Sequence, residues 1–235
     1  MEKIGIIGAM ENEVALLTDA MTDKKTETVA AMEYCAGRLS GRDAVVVQCG
    51  MGKVNAALCA QTLITRFGAG RIIFTGVAGS LDNRIDIGDL VISTDVVQHD
   101  FDVSPIGFRR GEIPYTGLVA FPADAGLRKA AAAAAKRAAG DVALFEGRIL
   151  SGDQFLSTRE QKESVTGLFG GLCCEMEGAA VAQVCHLSGV PWVILRAVSD
   201  KADGSAEMEF SRFADMAARR SAGIVAEMLK GNSEL

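Results

Sequence analysis

Three short stretches place carboxylates where an α/β chain turns out of a strand. The first is "KIGIIGAMENEV", Lys3 to Val14, which carries Glu11 and Glu13. It reads as a buried strand, a glycine turn and the start of a helix. In many α/β proteins such a turn holds a phosphate on its backbone amides. A carboxylate there would repel a phosphate. The second stretch is "CCEMEGAA", where Glu175 and Glu177 flank Met176 ahead of a helix. Two acids at that place can also do no more than complement the helix dipole. The third is Ser199-Asp200, directly after the apolar run "WVILRAV". Beside these stands Thr75-Gly76-Val77-Ala78-Gly79, whose glycines let backbone approach a ligand closely.

Other chemistries are disfavoured. A dinucleotide fingerprint needs G-x-G-x-x-G between strand and helix, and "GIIGAM" lacks it. No G-K-[ST] occurs, which excludes a P-loop. The six cysteines (Cys35, Cys49, Cys59, Cys173, Cys174, Cys185) form no C-x-x-C pair and sit in apolar runs. They read as reduced, buried residues of a cytoplasmic protein. With only His99 and His186, and no Cys/His ligand spacing, no metal site is expected. His186 follows an apolar helix pattern and reads as structural. His99, in the acidic stretch "HDFDV", reads as structural before chemical.

The elements that must position these residues are visible as a pattern. Short β-branched runs, "KIGIIGA", "DAVVVQCG", "RIIFTGVAG", "DLVISTDVVQ", "ALFEGRILSG" and "PWVILRAVSD", alternate with helical runs. The helices are expected in "ENEVALLTDAM", "VNAALCAQTLITRF", "DAGLRKAAAAAAKRAA", "TREQKESVTGLF", "EMEGAAVAQVCHLSG" and "FSRFADMAARRSAGIVAEMLKG". Alternation of this kind predicts an α/β fold, a largely parallel sheet between helix layers. "TETVAAMEYCAGRLSGRDAVVVQCG" instead predicts antiparallel pairing across "LSGRD", so the sheet should be mixed. In open α/β sheets, ligands bind beyond the carboxyl ends of the strands, which is where the carboxylates lie.

The 235 residues suit one large α/β domain, 1–235, with no linker or repeat. A net charge of −6 argues against nucleic acid as the main partner. No apolar run approaches the ~18 residues of a membrane span, and no signal peptide is expected. The long irregular stretch from Phe101 to Pro122 carries Val103, Ile106, Phe108, Ile113 and Pro114. Loops of this length tend to be functional or to contact partners.

In their order, "IGIIGAMENEV", "GMGKVNAA", "TGVAGSL", "SGDQF", "EMEGAAVAQVC" and "RAVSDKAD" resemble the nucleoside phosphorylase/nucleosidase superfamily. Within it, the resemblance is to nucleosidases acting on 5′-methylthioadenosine and S-adenosylhomocysteine, and runs from Lys3 to about Leu229. It implies a three-layer α/β sandwich around a mixed sheet, no cofactor, and a homodimer. The implied reaction is hydrolysis of the N-glycosidic bond of 5′-thio-substituted adenosines, with 5′-deoxyadenosine as a further substrate. Phosphorylases of the superfamily use a glycine turn and arginines to hold phosphate. Here Met10-Glu11-Asn12-Glu13 stands in that turn, and Lys53-Val54 replaces a phosphate-contacting serine, so water is the implied nucleophile.

Roles carry over position by position. Asp200 is implied as the acid that protonates adenine N7, and Glu13 as the base that activates water. Glu177 is implied to bind the ribose 2′- and 3′-hydroxyls, with Met176 against the sugar. Phe155 should stack on adenine, and the Leu156 backbone should pair with its N1 and N6 edge. Ala78 and Gly79 should let backbone pass close to the base, with Arg196 and Ser199 in supporting polar roles. The alkylthio group should meet Met10, Met51, Val103, Phe210 and, from a second subunit, Ile106 and Pro114. Val77 stands where a serine is frequent, Cys49 where a serine often precedes the glycine, and Asn12 where a glutamate is frequent. A futalosine-type nucleosidase, a phosphorylase and a non-catalytic nucleotide-binding module are the alternatives.

Overall fold

A computed structural model describes residues 2–231. Strands β1 (Lys3–Gly8), β4 (Arg42–Gln48), β5 (Ala69–Ser80) and β10 (Trp192–Asp200) run parallel at its centre, in the order β4-β1-β5-β10. On one flank β2 (Thr22–Val29) and β3 (Met32–Leu39) add an antiparallel edge to β4. The β3–β4 turn falls at "LSGRD", as expected. On the other flank lie β6 (Leu90–Gln98), β7 (Ala120–Pro122), β8 (Leu144–Ser151) and β9 (Cys173–Glu175). β10 pairs with β6, β6 with β8, β8 with β9, and β9 returns to β5. The five strands β5-β10-β6-β8-β9 thus close a circuit, so the ends of β5, β9 and β10 are brought together.

Alternation along the strands explains the layers. In β1, β5 and β10, Ile7, Ile72, Phe74 and Ile194 point to one face, and Ile6, Ile73, Val193 and Leu195 to the other. The first face is covered by α2 (Lys53–Thr65) and α5 (Gly178–Ser188), through Ala56, Cys59, Ala60, Leu63, Ala179, Ala182 and Cys185. The second is covered by α1 (Glu11–Asp19), α3 (Ala125–Ala138) and α6 (Ala206–Lys230). The alanine run of α3 buries Ala131, Ala134 and Ala135 against this face. α4 (Arg159–Phe169) packs Val165 and Phe169 into a smaller cluster with Leu150 and Leu156. All six cysteines are unpaired and buried.

Two short strands escaped the pattern. β7 and β9 have three residues each, too few for any periodicity to register. β7 ends the stretch that was expected to be wholly irregular. The remainder of that stretch closes on itself: Gly111 N–H bonds Phe101 O at 2.9 Å, and Ile113 bridges to Leu118. Ile113 is buried there, whereas Ile106 remains 73% exposed.

Candidate active site

The carboxyl ends of β1, β5, β9 and β10 open into one pocket. It is lined by Ala9, Met10, Glu13, Met51, Val77, Ala78, Gly79, Phe155, Cys174, Glu175, Met176, Glu177, Ser199, Asp200 and Phe210. Twelve of the residues expected from sequence therefore meet. The pocket mouth carries Phe155 and Phe210, whose rings sit edge to face at 5.7 Å.

Of the two acids in the first turn of α1, Glu11 is exposed and Glu13 is buried. The Glu13 carboxylate folds back over its own glycine turn. Oε2 accepts the N–H groups of Ala9 at 2.6 Å and Met10 at 2.9 Å, and Oε1 accepts Val77 N–H at 3.0 Å. The amides that a phosphate would use are filled by a carboxylate of the chain itself. A carboxylate offers about four acceptor positions, so one is left for a water. Burial pushes the Glu13 carboxyl up from its ordinary value, opposed by Arg196 and the three amides. Gly76 makes the approach possible, because a Cβ there would stand 2.5 Å from Glu13 Oε1. The valine at position 77 supplies its N–H regardless of side chain, so loss of a serine hydroxyl leaves this bond intact.

Asp200 ends β10 and pairs in register with Gly79. A Cβ at Gly79 would lie 2.7 Å from Asp200 Oδ1, so only glycine lets the carboxyl lie against the strand. Oδ1 accepts Ala202 N–H at 2.9 Å, and Oδ2 lies 2.8 Å from Ser199 Oγ. Burial raises the Asp200 pKa above its ordinary value, against the opposing bonds from Ala202 and Ser199. A buried carboxyl of this kind holds a proton to higher pH.

Glu175 and Glu177, read as a pair in the sequence, do different things. Glu175 accepts Gly178 N–H at 2.8 Å and 2.9 Å and Glu177 N–H at 3.2 Å, which is the helix-terminus role. It also receives Ser151 Oγ and the Arg196 guanidinium, the latter at 2.5 Å. Glu177 instead turns to the pocket and accepts Gly52 N–H at 2.7 Å. Burial, and then the nearby Glu175, push the Glu177 carboxyl up to about 8.

Five expected residues stand elsewhere. Arg196 does not line the pocket: it lies buried between Glu175 and the Phe74 ring, 4.1 Å from the ring centroid. Its polar role is therefore exercised through Glu175, because an unpaired guanidinium could not be buried there. Leu156 sends its side chain into the cluster with Val165 and Phe169. Val103, expected beside Met10 and Met51, is outside the pocket with Ile106 and Pro114, because the segment that carries it folds on itself. Ala9, Cys174 and Glu175 line the pocket without having been singled out as site residues. For Cys174 the only signal was its place before Glu175, and its register with Gly79 is tertiary.

A family model of the phosphorylase superfamily matches residues 3–230. The chain is 44% identical over 229 residues to the 5′-methylthioadenosine/S-adenosylhomocysteine nucleosidase of Geobacillus thermodenitrificans, covering 97% of this chain and 96% of that one. The crystal structure of the same kind of nucleosidase from Neisseria meningitidis, in complex with methylthio-immucillin-A, superposes with a TM-score of 0.94 at 38% identity, covering 98% and 99% of the two chains. A futalosine hydrolase of Helicobacter pylori superposes with a TM-score of 0.91 at 35% identity, covering 97% of each chain. The chain belongs to the phosphorylase superfamily and, within it, to the 5′-methylthioadenosine/S-adenosylhomocysteine nucleosidase family.

Proposed function

We propose that this protein hydrolyses the N-glycosidic bond of 5′-methylthioadenosine and S-adenosylhomocysteine, and of 5′-deoxyadenosine, releasing adenine and the (thio)ribose. The observation that carries the reading is the Glu13 carboxylate held on the amides of Ala9, Met10 and Val77. It occupies the anion position of the turn, so the nucleophile delivered there is water.

Adenine leaves poorly as an anion, so its N7 must gain a proton as the bond breaks. Asp200, its pKa raised by burial, holds that proton. Glu13 withdraws a proton from water on the sugar side. Glu13 is anchored at Val77 and Asp200 at Gly79, two residues apart on β5. At ~3.3 Å per residue these anchor points lie about 7 Å apart. Glu177 takes the ribose hydroxyls by hydrogen bond. Phe155 stacks on the base, with the Leu156 backbone at its N1 and N6 edge, while Met10, Met51 and Phe210 receive the alkylthio group. Soft thioether side chains suit a tail of variable length.

The likeness to a futalosine hydrolase keeps that activity as the second reading. Incubation with 5′-methylthioadenosine, with and without inorganic phosphate, separates the possibilities. We expect free adenine and free methylthioribose at the same rate in both. A sugar 1-phosphate would overturn the hydrolytic reading, and release of base from futalosine alone would favour the second.

The protein acts as a homodimer in the cytoplasm. Met51, just before α2, and Val54 and Leu58 on α2 stay exposed, and Ile106 is 73% exposed. Among the described residues no helix is long and apolar enough to cross a membrane. Single-chain geometry leaves Val103, Ile106 and Pro114 outside the pocket; in the dimer, Ile106 and Pro114 close the partner's thioalkyl site. Ile106→Asp should therefore weaken the dimer and raise KM for thioether substrates by a few-fold to tens-fold, at ~0.8 kcal/mol per buried methylene. Adenosine, without the apolar tail, should be affected less. Sedimentation and kinetics on the same variant check this: a monomer that keeps its KM and its preference would contradict the shared pocket.

A further inference from the structure

By the resemblance, Lys53-Val54 stands where phosphorylases of the superfamily place a phosphate-contacting serine, yet Lys53 does not line the pocket. Its ammonium instead lies 2.7 Å from Asp100 Oδ1 and 3.1 Å from Gln98 Oε1. Both side chains of the Lys53–Asp100 pair are under one-fifth exposed, at 18% and 16%. The other Asp100 oxygen accepts Asp153 N–H at 2.8 Å, and Asp153 Oδ1 accepts the Lys53 backbone N–H, also at 2.8 Å. The bonds form a closed ring: Lys53 to Asp100, Asp100 to Asp153, Asp153 back to Lys53. Burial pushes the Asp100 carboxyl up, but Lys53 and the Asp153 amide outweigh it and hold it below the usual range. Asp100 is therefore held in its ionised form at neutral pH.

The ring joins two parts of the site that no secondary structure connects. On one side is Gly52, the residue before Lys53, whose N–H holds Glu177 Oε1 at 2.7 Å. On the other is Asp153, two residues before Phe155. Gln98 extends the same network to α5, donating to Gln183 Oε1 at 2.6 Å, and α5 begins directly after Glu177.

We propose that Lys53 is a positioning residue, which with Asp100 and Asp153 clasps the N-terminus of α2 to the segment 152–156 and so fixes Glu177 and Phe155 relative to one another. The proposal rests on the assignment of Phe155 to the base and Glu177 to the ribose. Without the ammonium, Asp100 is a largely buried charge that keeps only the Asp153 N–H, and the two segments are held by the two backbone bonds alone, so their relative position loosens. The nucleoside then loses its stacking partner and its hydroxyl acceptor in the right register, although every group that touches it is still present.

The test uses the full chain with Lys53→Met, Asp100→Asn, the double variant, and Lys53→Arg. Three quantities are read: kcat and KM for 5′-methylthioadenosine, adenine affinity by calorimetry, and amide hydrogen exchange. Each single variant should raise KM and the adenine Kd roughly tenfold, and the double variant should be no worse than either single, as coupled residues behave. Lys53→Arg should recover most of the loss. Exchange should quicken at 51–53 and 152–156 but not in β1 or β5. Unchanged KM and adenine affinity in folded Lys53→Met, or fully additive losses in the double variant, would overturn the clasp. Should Lys53→Met fail to fold, Asp100→Asn, nearly equal in volume, decides by the same readouts. If the wild-type protein releases no adenine, the functional reading fails. Hydrogen exchange in the variants then still decides the clasp, and unaltered exchange at both segments overturns it.

Discussion

Asp200→Asn is expected to lower turnover of 5′-methylthioadenosine by at least ~10²-fold, the ordinary scale for loss of a general acid. Asparagine can still accept the Ala202 N–H and meet Ser199 Oγ, so the pocket keeps its shape and KM should move little. What it cannot do is give N7 a proton. The sign of the pH dependence follows from the raised Asp200 pKa. The active, protonated form is depleted as pH rises through the folded value, which gives the alkaline limb of the rate profile. The variant should lose that limb. The stability contribution follows pH in the same direction. A carboxyl whose folded pKa is raised above 3.8 contributes most below that pH, and the contribution is lost as pH rises through the folded value. The amide carries no such loss, so the variant should be at least as stable as the parent at neutral pH. Steady-state kinetics across pH and thermal unfolding test both parts. Near-normal turnover in a folded variant would refute the assignment of Asp200 as the acid.

Glu13→Gln should cost at least as much activity, ~10²-fold or more, and for this residue stability should fall too. Both Glu13 oxygens accept backbone N–H groups. A glutamine must turn its NH₂ toward either Val77 or the Ala9–Met10 pair, and a buried donor then faces a donor. Such a mismatch costs about 1–3 kcal/mol. Glu13 must be ionised to act as base, and burial raises its pKa. Activity should therefore fall as pH drops through that raised value, which gives the acid limb and, with Asp200, a bell-shaped profile. A Glu13→Gln protein that is folded, as stable as the parent and still active would remove Glu13 from the chemistry. The pair of variants is diagnostic together: both inactive, one stable, one not.

Much of this molecule could be read before its structure. The alternation in "KIGIIG", "DAVVVQ", "RIIFTG" and "WVILRAV" marks the central strands, because residues two apart on a strand share a face and each face meets a helix layer. The acid in the glycine turn already argued for water over phosphate, since charge type is local information. Met10, Glu13, Phe155, Glu177 and Asp200 converge as their motifs implied.

Three matters were decided only by the tertiary structure. Glu11 and Glu13 look alike in sequence; Glu13 turns back over its own Ala9 and Met10 amides, and Val77 N–H from β5 closes the site around it. Glu175 and Glu177 sit two apart in a segment with no periodicity. Arg196, on another strand, claims Glu175, and Gly52, from the start of α2, claims Glu177. Lys53 reads in sequence as a substitute in a phosphate site, and the fold turns it into one corner of a ring with Asp100 and Asp153. A sequence fixes residue type, charge and periodicity. Which of two equivalent acids is free to do chemistry depends on partners tens of residues distant, and those are brought near only when the strands close their circuit.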